Sequence, residues 1–240
     1  MNLKISKTKQ KTAENFTDWL IGSIGSKDTL YVALSGGSTP KIVFDELAAR
    51  DLPKSEWEKV HLYWGDERCV PPDDADSNYK MTVEHLLSKI EIPEKNIHRI
   101  KGEEEPREEA VRYSEVLERE LPRVNGLPQF DLVILGMGDD GHTASIFPHE
   151  IGLWDADPLC EVAKHPESGQ KRITITGKVI NNAATVAFLV TGEDKAEKVG
   201  EIIDGRAGFK DYPANLVEPS SGNLFWFVDE AAAAGIINRF

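Results

Sequence analysis

The sequence predicts an α/β protein built on a doubly wound, mostly parallel sheet with helices covering both faces. Three observations predict it. Strand-like and helix-like segments alternate along the 240 residues. The run "FDLVILGM" (130–137) is apolar throughout, as a central strand buried on both faces requires. Hydrophobic residues make up 40% of the chain, enough for one substantial core. No linker, low-complexity tract or fixed-period repeat breaks the alternation, so residues 1–240 are expected to form a single domain.

The elements follow in order. An amphipathic segment over 12–24 reads as a helix. "DTLYVAL" (28–34) reads as a strand between "GSK" and "SGG". "PKIVFDELAAR" (40–50) is a helix with proline at its first position, where the missing N–H costs nothing. "KVHLYW" (59–64) is the next strand, and 77–90 is a helix capped by Asp76 or Ser77. "NIHRI" (96–100) is a short strand. The charge-dense stretch 107–121 is a helix with a polar outer face, followed by the apolar strand 130–137. "RITIT" (172–176) and "TVAFLV" (185–190) read as strands, 193–204 as a helix and "LFWFV" (224–228) as a last strand. "DEAAAAGI" (229–236) closes the chain as a helix.

Charge excludes some functions. The formal net charge is −13, which repels nucleic acid and anionic lipid, and no basic patch offsets it. No apolar run approaches the length of a membrane span, and the first residues lack the apolar stretch of a signal peptide. The two cysteines, Cys69 and Cys160, are far apart and form no metal-spacing motif. A cytoplasmic protein with reduced thiols, acting as a monomer or weak homo-oligomer, is expected.

In a parallel sheet, ligands bind at the carboxyl ends of the strands. Three such loops are unusual. "SGGSTP" (35–40) places Gly36, Gly37, Ser38 and Thr39 before a helix, which suits a phosphate; it also suits a tight turn with Thr39 as N-cap. "GDERCVPPDDADSNYK" (65–80) sets Asp66, Glu67 and Arg68 just past a strand, to position a polar substrate or to form a surface ion pair. Its alternating aspartates lack the glycine and glutamate of an EF-hand loop, so calcium is set aside. "GMGDDGHTASIFP" (136–148) follows the central strand. Its His142 suits a general base, with Asp140 the local carboxylate able to fix its tautomer; the alternative is a structural histidine bonding a loop carbonyl. No second histidine stands at ligand spacing, so no metal is expected. Arg172 and Lys195 sit at loop ends, as anion contacts or as ordinary exposed charges.

"LSGGSTP", "WGDERCVPPDDADSNYKM", "DLVILGMGDDGHTASIFP", "RITIT", "LVTGEDKA" and "PANLVEP…GNLFWFVDEAAA" together, in this order, resemble the 6-phosphogluconolactonases. The resemblance runs from about residue 30 to about residue 234. It implies a three-layer α/β/α, Rossmann-like fold and hydrolysis of 6-phospho-D-glucono-1,5-lactone to 6-phosphogluconate, the second step of the oxidative pentose phosphate pathway. It implies no cofactor. By position, His142 resembles the catalytic base, and Asp140 and Asp66 the active-site carboxylates. Gly36, Gly37, Ser38, Thr39, Arg68, Arg172 and Lys195 resemble the substrate and phosphate contacts. The chain departs from the family in "HPESGQKRITIT", where Ser168, Gly169 and Gln170 replace part of a lysine- and proline-bearing loop.

Two rival readings belong to other classes. The glucosamine-6-phosphate deaminases of the same superfamily carry a glutamate five residues after the histidine, where this chain has Phe147, and a tyrosine in place of Arg68. Sugar-phosphate sensor domains of transcription regulators need a DNA-binding module, for which the acidic chain leaves no room before residue 28.

Overall fold

The computed structural model describes residues 1–206 and 209–237. In chain order the elements are β1 (Asn2–Ser6), α1 (Lys9–Gly25), β2 (Leu30–Leu34), α2 (Ser38–Ala48), α3 (Lys54–Trp57), β3 (Val60–Trp64), β4 (Asp66–Arg68), α4 (Asn78–His85), β5 (Ile97–His98) and α5 (Pro106–Glu120). There follow β6 (Arg123–Val124), β7 (Leu127–Pro128), β8 (Leu132–Leu135), β9 (Cys160–Lys164), β10 (Lys171–Ile175), α6 (Gly177–Asn181), β11 (Val186–Val190), α7 (Ala196–Ile203) and β12 (Leu224–Asp229).

Seven strands form one parallel sheet in the order β1-β12-β11-β8-β2-β3-β5. Every residue of β8 and of β11 is buried, which is why both read as unbroken apolar runs. The core between sheet and helices is aromatic: Phe188 stacks on Trp226 at 4.1 Å, and Phe16 of α1 meets Phe227 edge-on at 5.1 Å. Helix α1 buries Ala13, Phe16, Leu20 and Ile24, a stripe at helical spacing.

The strand order contains the functional clue. From β2 the chain moves outward through β3 to β5. It then returns to lay β8 on the opposite side of β2 and moves outward again through β11 to β12. The order therefore reverses between β2 and β8, and at such a switch point the loops that follow the two strands diverge and leave a crevice. Those loops are "SGGSTP" and "GMGDDGH".

Four expectations need correction. The segment 172–176 is a strand, but it belongs to a separate antiparallel sheet, β4-β10-β9, together with the residues of "GDERC" that sequence placed in a loop. The helix α2 begins two residues before Pro40, and its N-cap is Gly37 rather than Thr39. The segment 229–236 forms no α-helix; only a 3₁₀ turn, Ala232–Gly235, follows β12. The segment 77–90 is helical only as far as His85, then passes into a 3₁₀ turn over Leu87–Lys89. Strand β1 carried no sequence signal, because most of its residues are exposed at the sheet edge.

Candidate active site

At the switch point lies a cavity of about 240 Å³. Nine of the ten sequence-predicted residues line it: Gly36, Gly37, Ser38 and Thr39 from the first loop, Asp66 and Arg68 from β4, then His142, Arg172 and Lys195. The tenth, Asp140, stands behind His142.

The turn after β8 builds the histidine. The Gly138 N–H donates to the His142 carbonyl at 2.9 Å, and the Gly141 N–H donates to the Gly138 carbonyl at 3.2 Å. This tight turn folds the His142 ring back over Gly138. A Cβ at Gly138 would lie 2.1 Å from His142 Nδ1 and 2.6 Å from an Asp140 carboxylate oxygen, so only glycine leaves room for the pair. His142 Nδ1 lies 2.6 Å from Asp140 Oδ1, and the same oxygen accepts the His142 backbone N–H at 3.0 Å. Burial alone would raise the Asp140 carboxyl, but the hydrogen bond and charge of His142 outweigh it and hold the group down at about 2. Asp140 thus fixes Nδ1 as the protonated nitrogen and leaves Nε2 free to take a proton. Ala144, two residues on, lines the cavity with a left-handed backbone, φ 48°, a conformation that costs a non-glycine residue about 1 kcal/mol and is held by its surroundings.

Asp66 does not reach His142 by a hydrogen bond; it takes the buried Ser145 hydroxyl at 2.5 Å. Ser145 in turn accepts Arg172 Nη1 at 3.5 Å. Arg172 stands directly opposite Arg68 in the antiparallel pairing of β10 with β4. Two guanidinium groups side by side repel, and burial lowers the pKa of Arg172, partly offset by Asp66. The Nε atoms of both arginines are buried without a partner. Of the two readings of "DER", the surface ion pair does not form: among the described residues Arg68 pairs with neither Asp66 nor Glu67, and its Nη1 donates to the Asp76 carbonyl. Glu67 is buried and accepts the backbone N–H groups of Arg68, Asn78 and Tyr79 at 2.8 Å and the Ser77 hydroxyl at 3.1 Å, so it caps α4. Two arginines that make no ion pair among the described residues, on one wall, make the cavity receptive to an anion.

The other wall is the N-terminus of α2. Gly37 has φ 109°, a backbone open to glycine, and as N-cap it brings no side chain to the free N–H groups. Thr39 meets Thr191, at the end of β11, hydroxyl to hydroxyl at 2.7 Å, which closes that side. Lys195 lies beyond it and pairs with Asp194 at 3.1 Å. Sequence reasoning singled out Phe147 only for what it replaces. The structure packs it behind two lining residues: fully buried, its ring lies 4.6 Å from the His142 ring and 5.5 Å from the Arg172 guanidinium. His165 packs on the same ring at 5.3 Å.

A parallel α/β sheet with a histidine–carboxylate pair and an anion cradle at its switch point is the layout of an enzyme acting on a small phosphorylated metabolite. The family model for glucosamine-6-phosphate isomerases/6-phosphogluconolactonase matches residues 4–226. A 6-phosphogluconolactonase of Haemophilus influenzae is 46% identical over 204 residues, covering 85% of this chain and 86% of its own. One from Treponema pallidum is 46% identical over 177 residues, covering 74% and 73%. The solved structure of the Trypanosoma brucei 6-phosphogluconolactonase superimposes with a TM-score of 0.85 at 30% identity, covering 97% of each chain. The chain belongs to the glucosamine-6-phosphate isomerase/6-phosphogluconolactonase family. A monomeric glucosamine-6-phosphate deaminase shares the fold, with a TM-score of 0.83 at 18% identity. No helix among the described residues is long and apolar enough to cross a membrane.

Proposed function

We propose that the chain, acting as one catalytic unit over 1–240, hydrolyses 6-phospho-D-glucono-1,5-lactone to 6-phosphogluconate, the second step of the oxidative pentose phosphate pathway. The observation that carries the mechanism is the 2.6 Å contact between His142 Nδ1 and Asp140, which leaves Nε2 as the free ring nitrogen of a histidine that lines the cavity. A δ-lactone is an activated ester, so water made more nucleophilic by a base suffices.

His142 Nε2 takes a proton from water as the water oxygen attacks C1. The imidazolium is stabilised by Asp140, which stays ionised because its carboxyl is held at about 2. The C1 carbonyl oxygen becomes an oxyanion, countered by backbone N–H groups of the surrounding loops and by Arg68. When the intermediate collapses, the bond from C1 to the ring oxygen breaks. The ring oxygen takes the proton back from Nε2 and becomes the C5 hydroxyl, and the new carboxylic acid ionises. The phosphate binds away from C1, at the N-terminus of α2 with Lys195 and Arg172, and orients the lactone. Asp66 holds Ser145 and, through it, Arg172.

The test is His142→Asn followed by pH-stat titration of the acid released, with the spontaneous rate subtracted at each pH. The turnover number should fall by about 10²–10⁴-fold, with little change in KM. The wild-type rate should rise with pH through one ionisation, and the variant should lose that rise. A variant rate within about threefold of wild type would make His142 structural.

A further inference from the structure

The phosphate wall has a neighbour that sequence motifs do not mark. Lys9 opens α1, and its Nζ donates to the Ser38 hydroxyl oxygen at 2.8 Å. Ser38 is the first residue of α2 and lines the cavity.

A cation here is in the wrong place for an empty site. The N-terminus of a helix carries a partial positive charge, which disfavours a second positive group within the first turn. Gly37 supplies no side chain to accept the free N–H groups, so nothing negative belonging to the helix start softens that clash. Carboxylates are abundant, with 41 acidic residues against 28 lysines and arginines, yet the partner of Lys9 is a hydroxyl. Lys11, two residues on, shows the ordinary arrangement and pairs with Glu14 at 2.9 Å.

The position is held from both sides. Helix α1 is tied to α2 by Gln10 to Glu46 at 2.5 Å, and to the turn just after α2 by Asp18 to Arg50 at 3.0 Å. The direction of the hydrogen bond matters as well. Because the Ser38 oxygen accepts from Lys9, its own proton is free to donate, and the ammonium keeps two further donors. An uncapped helix start, a hydroxyl freed to donate and an unneutralised ammonium together suit a dianion.

We propose that Lys9 is a further phosphate-binding residue, reaching the phosphate of a sugar-phosphate ester across Ser38, on the wall opposite the arginines. The proposal rests on the reading of this cavity as a sugar-phosphate site.

The test compares Lys9→Met and Lys9→Arg with Lys7→Met, which removes an equal charge from a neighbouring exposed position. Binding of 6-phosphogluconate and of gluconate is measured by titration calorimetry, and KM and the turnover number are measured for the phosphorylated lactone. Lys9→Met should weaken 6-phosphogluconate about tenfold or more, the loss expected of one charge-assisted hydrogen bond. KM should rise by a similar factor at unchanged turnover number, while gluconate binding stays as in wild type. Lys9→Arg should keep most of the affinity, and Lys7→Met should behave as wild type. A change within about twofold on Lys9→Met, or an equal loss for gluconate, overturns the proposal. Wild-type protein that binds 6-phosphogluconate but turns over no lactone would sink the hydrolase reading and leave Lys9 to be judged on the binding data alone.

Discussion

Gly138→Ala is the sharpest probe of the histidine–carboxylate pair, because it adds one methyl group and removes no functional atom. The added Cβ would stand 2.1 Å from His142 Nδ1, where ordinary contact begins at 3.4 Å. The ring must move by about 1.3 Å, and the Asp140 oxygen at 2.6 Å must also give way. A misplacement of about 1 Å at a reacting group costs on the order of 10²-fold in rate. The turnover number should therefore fall about 100-fold, and KM should hold, because Arg172, Lys195 and Ser38 lie elsewhere on the wall. Gly138 is not among the glycines with positive φ, so alanine imposes no backbone strain. The thermal midpoint should stay within roughly 3 °C of wild type, about the effect of 1 kcal/mol in a chain of this size. The assay is pH-stat titration of acid release, paired with a melt followed by circular dichroism. A folded Gly138→Ala protein with a turnover number within about threefold of wild type would show that the orientation of His142 by Asp140 does not matter to the reaction.

Other expectations follow from neighbouring contacts. Arg172→Ala should chiefly raise KM for the phosphorylated lactone, by about tenfold or more, since it removes a charged anion contact; an unchanged KM removes Arg172 from the site. Glu67→Ala leaves three backbone N–H groups, one buried and two half-buried, without their acceptor and should cost about 3 kcal/mol. That loss is a drop of roughly 6–12 °C in Tm, and a drop below about 2 °C would mean that water replaces the carboxylate. His61 and His98, whose Nδ1 and Nε2 lie 3.3 Å apart, both have pKa values lowered by burial. The unfolded chain then binds more protons as pH falls through its value near 6.5, so stability should decline below that pH. His98→Phe keeps a ring on Tyr63, now 4.3 Å away, and should shrink the difference between melts at about pH 7.5 and about pH 5; an undiminished difference points to other groups.

The parallel sheet was legible because its strands are short apolar runs bounded by glycine and polar turns, and because buried strands leave no other pattern. The positions of the first and third loops were legible for a related reason: each follows a buried strand of a parallel sheet, at whose carboxyl ends ligands bind. The small antiparallel sheet was not. Asp66, Glu67 and Arg68 carry no strand signal, and their pairing with Ile173 and its neighbours is set by register across more than a hundred residues. The capping role of Glu67 was not legible, because local sequence cannot show that α4 turns its N-terminus toward it. The alanine run after β12 has high helix propensity, yet the chain takes only a short turn there. Gly235 packs against Ala196 at the start of α7, where even a Cβ would lie 1.9 Å from a backbone oxygen. Lys9 left no local trace either, because its partner lies 29 residues away.

The hydroxyl pair Thr39–Thr191 joins residues 152 apart, and the bond from Ser145 to Asp66 spans 79. The residues of the two walls are spread from Ser35 to Lys195, so only a stretch covering most of the chain holds both. Contacts between such distant residues form only after the loop-closure entropy of most of the chain has been overcome. On refolding, helical signal should return first and turnover last. Catalytic activity is thus a clock for the final closure of the molecule.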